Sequence, residues 1–176
     1  MKALTGPALV SIVGFSGAGK TTLLEKLIRE LAARGTRVGT IKHDVHGFEM
    51  DTPGKDSWRH KQAGAVTTII SSPYQIGVVM DVDHDHDPNE LKQFFGNVDI
   101  VFTEGYKQGD KPKVEIFRAG LRDEPLCKGD DHLIGLVTDT EVDLGVPRFS
   151  LDDIKGLADF LIDNFDLAPG AGCPVP

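Results

Sequence analysis

The run Gly14-Phe15-Ser16-Gly17-Ala18-Gly19-Lys20-Thr21 fills every fixed position of the pattern G-x-x-x-x-G-K-[ST], and it joins an apolar stretch to a helical one. Before it, Ala8-Leu9-Val10-Ser11-Ile12-Val13 reads as a buried strand; after it, Leu23, Leu24, Leu27, Ile28 and Leu31 recur at helical spacing up to a stop at Gly35. Glycines at 14, 17 and 19 let the backbone take positive φ and crowd a polyphosphate, so that successive N–H groups point at its oxygens. Lys20 is placed to reach the β/γ-phosphates, Thr21 offers a hydroxyl to Mg²⁺, and the helix that begins here turns its positive end toward the anion. Gly14, Phe15, Ser16, Gly17, Ala18, Gly19, Lys20, Thr21 and Thr22 are therefore the expected nucleotide-binding segment. Lys20 is also a catalytic candidate, expected to face solvent at the helix start when no nucleotide is held.

The rest of the chain sets that turn in an α/β frame. Short strands are predicted at Arg37–Ile41, Val66–Ile70, Gln75–Met80, Val98–Thr103, Val114–Phe117 and Leu133–Val137. Helices are predicted at Ser57–Ala63 with Asp56 as N-cap, at Asn89–Phe95, and at Asp153–Phe165 with Ile154, Leu157, Ala158, Leu161 and Ile162 inward. The order implies a P-loop nucleotide-binding fold of the α/β class: a mostly parallel sheet flanked by helices, with ligands at the carboxyl ends of its strands. The two runs joined by Ser71-Ser72-Pro73-Tyr74 add an antiparallel ribbon. With 176 residues the chain has room for one core, and a single domain is expected over 1–168, followed by a Pro- and Gly-rich disordered tail at 169–176.

A net charge of −8 without any run of basic residues argues against a nucleic-acid partner. No apolar stretch reaches about 18 residues and the first residues lack a signal-peptide start, so no membrane partner and a cytoplasmic location are expected. Cys127 and Cys173 have neither disulfide nor zinc-ligand spacing and read as reduced bystanders.

Beyond the glycine-rich turn, Glu104 ends a hydrophobic strand just before Gly105, where such a protein needs a carboxylate near Mg²⁺. It is the second catalytic candidate and, with Thr21, the expected metal pair. Lys42, His43 and Asp44 open a long polar segment at the end of the second strand, in the place of a loop that senses the γ-phosphate, and Lys55 and Arg59 extend it as candidate anion contacts. Asp139, after the strand Leu133–Val137, is the candidate reader of guanine, although no Lys stands two residues before it. Asp81-Val82-Asp83-His84-Asp85-His86-Asp87 gathers four acids and two imidazoles; it reads first as a solvated loop and second as a site for Ni²⁺, Zn²⁺ or Cu²⁺.

These pieces, in this order, resemble the MobB family of molybdopterin guanine dinucleotide biosynthesis. The blocks that carry the resemblance, beyond the generic turn, are Ile41-Lys42-His43, Phe48 with Asp51, Pro53-Gly54-Lys55-Asp56-Ser57, Arg59-His60, Ala63-Gly64-Ala65, Glu104-Gly105-Tyr106-Lys107, Pro112-Lys113-Val114-Glu115 and Phe149-Ser150-Leu151-Asp152-Asp153-Ile154. The resemblance implies a homodimeric adapter that binds GTP with Mg²⁺, hydrolyses it weakly, and assists the guanylyltransferase (MobA-like) that attaches GMP to molybdopterin. It implies that Lys42, His43, Asp44, Lys55 and Arg59 lie by the γ-phosphate or meet the pterin or partner. Two rivals remain open at this point: a small-molecule kinase, and a metal-delivery GTPase built on the Asp81–Asp87 segment, which is not part of the resemblance.

Overall fold

Five of the six residues of the first strand, β1 (Ala8–Val13), are buried, as a strand flanked on both sides by parallel neighbours requires. The computed structural model describes residues 6–167. After β1 come α1 (Lys20–Ala33), β2 (Val38–Lys42), α2 (Asp56–Gln62), β3 (Thr67–Ser71), β4 (Ile76–Met80), α3 (Pro88–Leu91) with a 3₁₀ turn at Lys92–Phe94, β5 (Ile100–Glu104), β6 (Lys113–Phe117), β7 (Leu133–Thr138), β8 (Arg148–Phe149) and α4 (Ile154–Phe165). The tail expected at 169–176, like Cys173, lies outside the described residues. Within the expected domain 1–168 the contacts form two compact units: residues up to His43 together with those from Pro88 onward, and Asp44–Asp87.

The first unit holds a six-stranded sheet in the order β2-β5-β1-β6-β7-β8, with every pairing parallel. From β1 the chain crosses to the edge strand β2, returns to β5 between them, and then runs outward through β6, β7 and β8 on the other side; β1 and β6 lead off in opposite directions and so flank the switch point where a parallel sheet opens a crevice for ligands. Leu23, Leu24, Leu27 and Leu31 of α1 and Leu157, Ala158 and Leu161 of α4 are buried in one cluster with Val10, Ile12, Ile100 and Phe102 of the sheet. α1 ends as its sequence directs: Gly35 takes φ 84° while Thr36 N–H donates to the Leu31 carbonyl at 3.0 Å. At α4 the Asp153 carboxylate accepts from Gly156 N–H at 3.0 Å, so Asp153 caps the helix from outside its first turn.

The second unit contains α2 and the antiparallel ribbon of β3 and β4, in register from Thr67 opposite Met80 to Ser71 opposite Ile76. The hairpin is closed by Ser72 N–H donating to the Gln75 carbonyl at 2.9 Å. Asp56 is the first residue of α2 and Lys55 is the cap, which makes no side-chain bond; the acid sits inside the first turn, where the helix dipole favours it.

Leu27 is fully buried between α1 and the sheet. Leu27→Ala is expected to destabilise the protein by about 2–5 kcal/mol, since it removes buried methyl groups and leaves a cavity. Urea unfolding followed by circular dichroism checks this, and a loss below about 1 kcal/mol would contradict the placement of α1 on the sheet.

Candidate functional site

The turn between β1 and α1 adopts the conformation its glycines allow, with φ 148° at Gly14, 79° at Gly17 and 97° at Gly19. Gly14 is the position with no latitude: a Cβ there would lie 2.5 Å from the Ile116 carbonyl oxygen of the neighbouring strand. Ala18 is buried and anchors the turn in the main core, while Ser16 and Gly17 are exposed at its outer rim. Thr22 is an exposed residue of the first turn of α1.

Lys20 departs from the expectation that its ammonium faces solvent. Its Nζ donates to the carbonyls of Gly14 at 3.2 Å and Phe15 at 3.0 Å, folding back across the turn. A half-buried ammonium needs acceptors, and the loop carbonyls provide them. Burial lowers its pKa from the ordinary lysine value; the Glu104 charge opposes that shift and the Lys107 charge adds to it.

Glu104 is brought to the turn by strand pairing. It is the last residue of β5, opposite Ile12 of β1 on one side and Lys42 of β2 on the other. One residue earlier, the buried Thr103 hydroxyl donates to the Ser11 hydroxyl at 2.9 Å, fastening β5 to β1 inside the sheet. The Glu104 carboxylate then accepts from the Thr21 hydroxyl, with Oγ1 3.0 Å from Oε1 and 3.3 Å from Oε2. Two hard oxygen donors thus converge from α1 and β5 at the rim of the glycine turn, a donor set suited to Mg²⁺.

The remaining candidates divide between the two units. Lys42 ends β2 exposed, and His43 N–H donates to the Glu104 carbonyl at 3.0 Å, so both border the acid. The His43 ring stacks on Tyr106, with centroids 4.3 Å apart. Asp44, Lys55 and Arg59 belong to the second unit, where the Asp44 carboxylate accepts from His46 N–H at 3.0 Å and Arg59 lies 3.9 Å from Asp56. Asp139 follows β7 on the same carboxyl edge of the sheet as the glycine turn. Its carboxylate accepts from Ala119 N–H at 2.8 Å and lies 3.7 Å from the Arg118 guanidinium. In the Asp81–Asp87 segment, Asp83 pairs with His84 at 2.6 Å and the His84 and His86 rings stack at 4.1 Å. Among the described residues, no group of three or more His, Cys, Asp or Glu side chains is gathered so as to hold a metal ion.

Several contributors were missed in the sequence. Arg122 lies over the Phe15 ring, 5.4 Å from its centroid, next to the glycine turn. The loop that carries it is tied down by charges inside β6. Glu115 is fully buried and accepts from the N–H groups of Leu126 at 2.6 Å and Cys127 at 2.8 Å, and buried Lys113 pairs with Asp130 at 2.6 Å. Charged residues alternating through an apolar strand were the available signal, because such groups are buried only when paired. Cys127 is free and buried, and burial, reinforced by Glu115, pushes its thiol up to about 12, which makes it unreactive.

The sequence profile described as MobB, molybdopterin guanine dinucleotide synthesis protein B, matches residues 9–139. The chain is 39% identical over 163 residues to the molybdopterin-guanine dinucleotide biosynthesis adapter protein of Escherichia coli strain K12, covering 88% of this chain and 91% of that one. It is 36% identical over 155 residues to the protein of the same name from Haemophilus influenzae, covering 87% and 86%. A crystal structure of Bacillus subtilis MobB superposes with a TM-score of 0.68 at 28% identity, covering 89% of this chain and 96% of that one.

Gly14→Ala is expected to distort the turn, because its φ and the 2.5 Å approach to Ile116 both exclude a Cβ. The expected outcome is loss of triphosphate binding together with a lowered thermal midpoint. Unchanged values of both would contradict the geometry of the turn.

Proposed function

Because the chain belongs to the MobB family, we propose that it is a GTP-binding adapter of molybdopterin-guanine dinucleotide biosynthesis, with a slow GTPase activity. The observation that supports the nucleotide half of this reading is the convergence of Thr21 and Glu104, 3.0 Å apart, on the rim of a turn whose Gly14, Gly17 and Gly19 all take positive φ. The adapter half follows from the relatives, which are named as adapters of this pathway.

In this reading the N–H groups of Gly14 to Thr22 bind the phosphate oxygens, and Lys20 exchanges its two carbonyl acceptors for the β/γ-phosphates. Thr21 and Glu104 hold Mg²⁺, which supplies neutralisation of phosphate charge when bound. Glu104 polarises the attacking water through the same carboxylate. Asp139 spends one lone pair on Ala119 and keeps others for the guanine edge. The partner is the molybdopterin guanylyltransferase with its pterin, and the chain works as a homodimer. Exposed Val66, Ile69 and Ile76 on the ribbon of the second unit support a protein partner for that surface. No helix among the described residues is long and apolar enough to cross a membrane, and the adapter is proposed to act in the cytoplasm.

Reconstitution tests the reading. With GTP, Mg²⁺, molybdopterin and the transferase, adding this chain is expected to raise dinucleotide formation, and the chain without the transferase is expected to form none. Lys20→Ala is expected to lose about 1.5–3 kcal/mol of GTP binding, the usual contribution of a charge-assisted bond, and to abolish the gain. Dinucleotide made by the chain alone, or fast phosphorylation of a metabolite, would replace the adapter with an enzyme.

A further inference from the structure

β5 does not end in an ordinary loop. Gly105 has φ 122° and Tyr106 has φ 49°, two successive residues in the left-handed region immediately after Glu104. Gly105 meets a clear requirement, since a Cβ there would lie 2.7 Å from the His43 Cβ. Tyr106 has no glycine's freedom, and its conformation carries a steric cost that surrounding contacts must offset. The contacts are in place: the ring stacks on His43 with an interplanar angle of 21° and packs against the cluster of Leu9, Ile41 and Val101. Gly109 N–H donates to the Tyr106 carbonyl at 3.1 Å, closing a tight turn over 106–109.

That turn holds Lys107 at its exposed tip, three residues from a carboxylate fixed to Thr21 at 3.0 Å. Lys107 makes no hydrogen bond or ion pair among the described residues, whereas Lys111 of the same connection and Lys113, the first residue of β6, pair with Asp110 and Asp130. Lys107 follows β5 at the carboxyl edge of the sheet, the edge at which β1 leads into the glycine turn and Lys20. Two ammonium groups on one edge both gain when a phosphate lies between them.

We propose that Lys107 is a second phosphate cation of this site, contacting the terminal phosphate of a nucleoside triphosphate, and that the strained Tyr106 turn clamped on His43 is what positions it. The proposal rests on the nucleotide-binding reading above. A contact to the terminal phosphate exists for a triphosphate and not for a diphosphate, so Lys107 sets the preference between them, and Tyr106 and His43 act through it as positioning residues.

The test is calorimetric titration of GTP and of GDP in Mg²⁺ buffer. Lys107→Ala is expected to weaken GTP binding about tenfold while GDP binding stays near wild type, and Lys107→Arg to retain most of the preference. Tyr106→Gly, which relieves the strain and removes the ring, is expected to lower the GTP-to-GDP preference in the same direction. Tyr106→Phe, which keeps the ring, is expected to preserve it. A folded Lys107→Ala protein that binds GTP with the wild-type preference would overturn the role of Lys107. Failure of the wild type to bind GTP would overturn the nucleotide-binding reading itself, and this proposal with it.

Discussion

The site depends on the parallel pairing of β5 with β1. That pairing sets Glu104 opposite Ile12, two residues before Gly14, and so delivers a carboxylate to the glycine turn at a fixed height. The Ser11–Thr103 hydroxyl pair, at 2.9 Å inside the sheet, satisfies two polar groups that would otherwise be costly to bury. A register slip would leave both hydroxyls unpaired and turn Glu104 to the other face. The pairing of β2 on the far side of β5 brings His43 to the same edge, where it supports Tyr106. The glycine turn, the Thr21–Glu104 pair and the overhanging turn are consequences of one sheet edge.

A second set of constraints acts from β6. Glu115 and Lys113 are charged residues inside the sheet, each paired to the connection that follows, and they tie that connection down on the side of β1 opposite Glu104. Breaking such a pair by removing one partner leaves a buried charge uncompensated. Arg122 over Phe15 is thereby carried on a fastened segment, and Asp139 holds the start of the same connection through Ala119.

The glycine turn, its two flanking elements and Glu104 were legible because each depends on local chemistry: a motif, an apolar period and an acid at a strand end. The parallel sheet and the antiparallel ribbon were legible from element order and hairpin signals. β8 was not, since Arg148–Phe149 is two residues long and is a strand only through its pairing with β7. The roles of Lys107, Arg122 and Glu115 depend on contacts between segments distant in sequence, or on a backbone conformation that no local pattern announces. The block from Lys42 to Arg59 reads as one polar stretch, yet its first two residues belong to the sheet edge and the others to the unit Asp44–Asp87.

In the proposed function, Thr21 and Glu104 form one metal-dependent triphosphate site with the glycine turn. The most direct measurement is the affinity for GTP with Mg²⁺ and with the metal chelated, in the wild type and in Thr21→Val. Binding is expected to tighten with Mg²⁺ in the wild type and to lose that dependence in the variant, which keeps its fold. Equal affinity with and without the metal in the wild type would contradict it.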